Sequence, residues 1–135
     1  MPKLLTLMFC AAAFLMLLMS SCLSQEQRNL KNEVKSLNET LPHKVEGFTF
    51  DNITYNPDTE TVTLELVADN TIASFGVSVA PAIAKYALVN YLKSESAYAD
   101  LVYAIRKANA TLVCPCFDEN DSEIASFTIA PGELY

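Results

Sequence analysis

Histidine occurs once in these 135 residues, as His43, and glycine three times, as Gly47, Gly76 and Gly132. Lysine and arginine nowhere form a cluster. Each scarcity removes a class of function. A single histidine leaves no basis for a His-Glu-x-x-His metal site, and no Gly-x-Ser-x-Gly nucleophile elbow is present. Three scattered glycines cannot build a loop whose backbone amides cradle phosphate. Two-carboxylate chemistry needs only acids, but none of the 16 stands in a marked pair. The reading is therefore of a chain with no catalytic residue and no cofactor. Nine basic against 16 acidic side chains give a formal charge of −7. A chain without a basic face that releases counterions is not expected to bind nucleic acid.

What the chain does have is an export address. Lys3 precedes an uncharged apolar run from Leu4 to Met19, and Ser20-Ser21-Cys22 follows. The run of 16 residues is slightly longer than an ordinary signal core and shorter than the roughly 20 residues a spanning helix needs. Two small residues before a cysteine match a bacterial lipoprotein signal: the Cys22 thiol is alkylated by a lipid and the peptidase cuts on its amino side. Met19 departs from the pattern, which usually has leucine three before the cysteine. An uncleaved anchor and an ordinary cleaved signal are the alternatives. Acyl chains of the palmitate type would hold the mature chain at a membrane, since each buried CH₂ contributes about 0.8 kcal/mol. The domain plan is a signal over residues 1–21, lipidated Cys22 with a short tether over 22–27, and a single domain over 28–135. Loss of residues 1–21 leaves 114 residues, with eight basic and 16 acidic side chains. That surplus of negative charge argues against electrostatic attachment to anionic lipid.

Four cysteines become two once Cys10 leaves with the signal and Cys22 is consumed. An exported domain left with only Cys114 and Cys116 has no disulfide framework and must rest on packing.

Leu30, Val34, Leu37 and Leu41 recur at helical spacing, and Pro42 ends that helix. From Phe48 the period becomes two: Phe48 and Phe50, then Ile53 and Tyr55, then Val62, Leu64, Leu66 and Ala68. Asn56-Pro57-Asp58-Thr59 supplies a hairpin turn. The stretch from Asn70 to Val79 has no clear period. Pro81 suits a first helical turn, with Ile83, Ala84, Ala87, Leu88, Tyr91 and Leu92 after it. A second stripe runs through Tyr98, Leu101, Val102, Ile105 and Ala108, with Ser94 or Ser96 as its N-cap; a single kinked helix is the alternative. Thr111 to Phe117 and Ile124 to Ile129 are two more strands joined by the solvated turn Asp118–Ser122. The order predicts an α+β fold, a four-stranded antiparallel sheet with helices packed on one face.

Few constellations remain. In a strand, Cys114 and Cys116 would face one side, their Cα atoms roughly 6.5–7 Å apart, at the far edge of disulfide geometry. They read either as a disulfide or redox pair or as two small buried side chains on an edge strand where Pro115 forgoes a ladder bond. No neighbour visible in sequence lowers either thiol pKa. The one histidine and two cysteines do not have the spacing of a structural zinc site, so no metal is expected. Asp118, Asn120 and Ser122 alternate like the start of a calcium loop, but no glycine stands sixth and Ile129 occupies the place of the bidentate glutamate. Asn-x-Ser/Thr occurs at Asn38, Asn52, Asn109 and Asn120 without meaning in a bacterial lipoprotein. Tyr86, Tyr91, Tyr98 and Tyr103 span the two central helices, as core packing or as the lining of an aromatic groove for a ligand or peptide.

Leu37-Asn38-Glu39-Thr40-Leu41-Pro42, Ala108-Asn109-Ala110-Thr111-Leu112-Val113 and Phe127-Thr128-Ile129-Ala130-Pro131-Gly132-Glu133-Leu134 together resemble small uncharacterised lipoproteins of Gram-negative gut anaerobes. Such proteins similarly carry a leucine-proline step, a hairpin, a helical middle and a final strand closing in Pro-x-Glu-Leu. Cys114-Pro115-Cys116 departs from them, and the resemblance implies no activity. The functional expectation is a membrane-tethered, non-enzymatic binding or interaction module of the cell envelope, anchored by lipid to the outer or inner membrane and facing a protein or peptide partner. Thiol-disulfide activity at Cys114 and Cys116 is the alternative.

Overall fold

The computed structural model describes residues 22–45, 47–77 and 79–135; the signal read over residues 1–21 lies outside them. Helix α1 (Gln25–Asn38) starts at a capping box. The Ser24 hydroxyl accepts the Gln27 N–H at 3.1 Å, and the Gln27 side chain accepts the Ser24 N–H at 3.1 Å. Two amides that a helix start leaves orphaned are thereby satisfied. The helix consequently reaches into the stretch 22–27 assigned to a tether, leaving only Cys22, Leu23 and the cap Ser24 ahead of it. Its apolar stripe buries Leu30 and Val34.

Strands β1 (His43–Val45), β2 (Phe48–Asn56) and β3 (Thr61–Ala68) form an antiparallel meander. The chain then leaves the sheet through a helical turn (Asn70–Ile72), a π-helical turn (Ala73–Val77), α2 (Pro81–Ser94), a 3₁₀ turn (Ser96–Tyr98) and α3 (Ala99–Ala108). It returns as β4 (Thr111–Phe117), parallel to β3, and closes with β5 (Glu123–Ile129), antiparallel to β4. The spatial order is β1-β2-β3-β4-β5.

The α+β class stands, but the sheet has five strands rather than four and is not wholly antiparallel. The added strand, His43-Lys44-Val45, is too short to show a period. The parallel β3–β4 pair follows from the helical excursion between them, which carries the chain back to the end where β3 began.

Every fully buried strand side chain lies on one face. Val62, Leu64, Leu66 and Ala68 of β3 join Leu112, Cys114 and Cys116 of β4 and Phe127 and Ile129 of β5 in the core that Leu30, Leu92, Leu101 and Ile105 cover from the helices. Residues between them on β3, Thr61, Thr63, Glu65 and Val67, face the other way and are half-buried. A bulge between Phe50 and Asn52 shifts the phase of β2, so that both Phe50 and Ile53 point inward.

Two local expectations are corrected. Pro115 is not on an edge, because β4 lies between β3 and β5. The β3–β4 register pairs Thr63 with Val113 and resumes at Leu66 with Cys116, so the proline sits in a gap of the ladder where its missing N–H is not needed. Neither Ser94 nor Ser96 caps α3. The Ser94 hydroxyl donates to the Asn90 carbonyl at 2.7 Å, and the N-cap position of α3 is Tyr98.

Candidate functional site

Cys22, the residue read as lipidated, is exposed three positions before α1. Cys114 and Cys116 are free thiols with no exposed surface, pointing from β4 into the core under the helices. Burial pushes the Cys114 thiol up to about 12, with the Cys116 thiol beside it adding to the rise. Burial likewise raises Cys116 to about 11, against a small opposing contribution from the Ala68 backbone. A redox thiol needs a stabilised thiolate and access; this pair has neither.

His43 is exposed on β1, its Nδ1 3.2 Å from the Tyr98 hydroxyl. Among the described residues no three His, Cys, Asp or Glu side chains form a group able to hold a metal ion. In the β4–β5 turn Asp118 is engaged locally: its Oδ1 accepts the N–H groups of Asn120 at 2.8 Å and Ser122 at 3.0 Å.

The four helical tyrosines have separate fates. Tyr98 belongs to the core, where burial pushes its hydroxyl up to about 12. It packs at 5.2 Å from Phe50 and 5.8 Å from Tyr91, measured between ring centroids. Those separations are within the range of attractive aromatic pairs. Tyr91 is half-buried, while Tyr86 and Tyr103 are exposed.

Tyr91 stands at the wall of an apolar groove of about 190 Å³ between α2 and the sheet. The sheet supplies Val45, Phe48, Phe50, Leu66 and Phe127; the helix supplies Ala84, Ala87, Leu88 and Tyr91. The groove exists because α2 is apolar nearly all round. Ala84, Leu88 and Tyr91 face the sheet, whereas Ile83 and Tyr86, 70% and 71% exposed, carry the apolar surface past Ala87 and out to solvent. A helix with apolar residues on both faces normally has something on both. Sequence periodicity placed Ile83 on the inner stripe. The missed signal was the shortage of polar residues between Pro81 and Leu92, where only Lys85 and Asn90 are charged or amide-bearing.

A second cleft of about 540 Å³ lies between α1 and α3, lined by Glu26, Asn29, Glu33, Asp100, Tyr103 and Lys107 among others. Its charges are mixed and solvated, and Lys107 lies over the Tyr103 ring at 5.5 Å.

No protein-family model matches the chain, and no curated protein matches it in sequence. Solved structures are similar in fold. The EpsS pilotin of the Vibrio vulnificus type 2 secretion system superposes with a TM-score of 0.60 at 10% identity, covering 82% of this chain and 93% of that one. The type II secretion system pilotin AspS of Vibrio cholerae gives 0.57 at 13% identity, covering 81% and 95%. A Pseudomonas aeruginosa protein described as secreted gives 0.58 at 13% identity, covering 84% and 99%. At these identities the likeness is one of fold: an α+β domain of this size, with helices over a mostly antiparallel sheet.

Proposed function

We propose that this chain is a small lipoprotein of the Gram-negative cell envelope, freed of residues 1–21 and held by acyl chains at Cys22. It acts without catalysis, by docking an apolar segment of a protein partner in the groove between α2 and the sheet. The groove, continuous with exposed Ile83 and Tyr86, is the observation that carries this reading. The fold shared with two pilotins supports a component of an envelope secretion assembly as the partner class, and the outer membrane as the location. No helix among the described residues is long and apolar enough to cross a membrane.

Energetics set what the partner must cover. Seating one leucine-sized side chain contributes about 2–3 kcal/mol. Association alone costs more than that. A stable complex therefore also has to cover Ile83 and Tyr86. Thiol-disulfide exchange at Cys114 and Cys116 gets no support from two buried, high-pKa thiols.

A photo-crosslinking residue at Ile83 in the lipidated protein should capture one envelope protein in host cells. Ala87→Glu, at an exposed position on the groove rim, should abolish that capture with the melting temperature unchanged. Equal capture from Thr128 on β5, or capture indifferent to Ala87→Glu, would refute the docking surface.

A further inference from the structure

We propose that the domain rests on the bilayer by one defined end, so that the groove and the acidic β4–β5 turn are held away from the lipid. The proposal rests on acylation at Cys22 and adds an orientation to it.

The leash is short. Ser24 is locked to α1 by its two bonds with Gln27 and by the Arg28 N–H, which donates to its carbonyl at 3.0 Å. Free chain is confined to Cys22 and Leu23, a reach of about 7 Å. A domain of this length has a radius of gyration of about 13 Å. It cannot turn its far end to the membrane on so short a leash.

The near end follows from contacts. The Tyr55 hydroxyl lies beside the Gln27 side chain in the first turn of α1. Tyr55 leads into the β2–β3 turn, where the Glu60 carbonyl accepts the Thr111 N–H at 2.9 Å. The start of α1, the turn Pro57–Glu60 and the α3–β4 junction thus form one end of the sheet. At the other end Phe48 pairs with Ala68 and Val67 with Phe117, about 20 Å away along β3.

Charge favours the same orientation. Near the leash, Glu26, Asp58 and Glu60 are balanced by Arg28, Arg106 and Lys107, and Glu133, just past the end of β5, is paired with Lys85. Among the described residues the far end gathers Asp69, Asp118, Glu119, Asp121 and Glu123 against the single cation Lys44. An anionic bilayer repels that cluster and is indifferent to the balanced end. Val45 and Phe48, which open the groove, belong to the far end and stay accessible to a protein partner.

The test uses the full-length lipoprotein in phosphatidylethanolamine–phosphatidylglycerol vesicles containing a brominated quencher lipid. A fluorophore is placed at Asp58→Cys or at Asn120→Cys; Cys114 and Cys116 are buried and take no label. In protein that floats with the vesicles, the label at 58 should be quenched several-fold more than the label at 120. Inserting about twelve Gly and Ser residues after Leu23, a coil spanning about 19 Å, should shrink that contrast. Equal quenching at both positions, or a contrast untouched by the insert, overturns the orientation. Protein that fails to float overturns the acylation beneath it, a result flotation alone reveals.

Discussion

In the folded mature domain carrying Cys22→Ser, neither Cys114 nor Cys116 should react with an aromatic disulfide reagent at neutral pH. The expectation follows from where β4 points them. Burial moves the Cys114 thiol from an ordinary 9.0 to about 12 and the Cys116 thiol to about 11. Each unit is tenfold in thiolate population, so the reactive form is scarcer by about a thousandfold and a hundredfold. Neither residue has exposed surface, so reaction also waits on an opening of the fold. Spectrophotometric titration should show no fast phase in buffer and two thiols in strong denaturant. The same shifts fix a pH dependence. A thiol with a raised folded pKa contributes stability that is whole below its unfolded value and is lost as the unfolded chain ionises. By pH 11, two units above 9.0, Cys114 alone should have cost about 3 kcal/mol. Chemical denaturation from pH 8 to pH 11 reads this directly, and Cys114→Ala should flatten the slope. Rapid modification of either thiol at pH 7, or a slope unchanged by that substitution, would refute the burial argument and revive the redox alternative.

Gly47 has φ +87°, and a Cβ there would lie 2.6 Å from Ile72 Cγ1; Gly47→Ala should therefore cost about 1–3 kcal/mol and several degrees of Tm in a thermal melt. Adding Ile72→Ala should recover only the steric part; full recovery would show that the backbone conformation carries no strain. Ser24→Ala removes half of the α1 capping box and should cost about 1 kcal/mol, read as faster amide exchange confined to the first turn. Unchanged exchange there would contradict the short-leash geometry. Glu133 accepts the Ala130 N–H at 2.7 Å and the Lys85 ammonium at 3.0 Å, and these bonds, the first foremost, hold its carboxyl below the ordinary 4.5. A lowered carboxyl contributes stability above its unfolded value and loses it as pH falls through the folded one. The wild type should accordingly exceed Glu133→Gln in stability at pH 7 and converge with it below pH 4. A gap that persists in acid would be evidence against this assignment.

Much of this fold is written in periodicity. The stripe through Leu30 and Val34 and the alternation from Val62 to Ala68 mark elements that bury those residues. The break in phase between Phe50 and Ile53 is the bulge of β2. Three features escape because each depends on something outside its own segment. β1 exists through its pairing with Phe48–Phe50, not through three residues of its own pattern. The parallel β3–β4 pair depends on which way the helical excursion returns. Pro115 can sit in a central strand because of a gap in β3–β4 pairing that no local sequence records. The groove was half legible: four tyrosines announced an aromatic surface, but their helical spacing cannot tell Tyr98 in the core from Tyr86 at the surface. That distinction comes from tertiary packing: Tyr98 packs against Phe50 and Tyr91, whereas Tyr86 lies on the outer side of α2.

The proposed acylation of Cys22 is the covalent event that would make this domain an envelope-bound docking module. Intact-mass analysis of the protein extracted from the membranes of its host is the most direct measurement. It should find a chain that begins at Cys22 and carries diacylglycerol and an amide-linked acyl group. A chain that retains residues 1–21, or an unmodified Cys22, would contradict it.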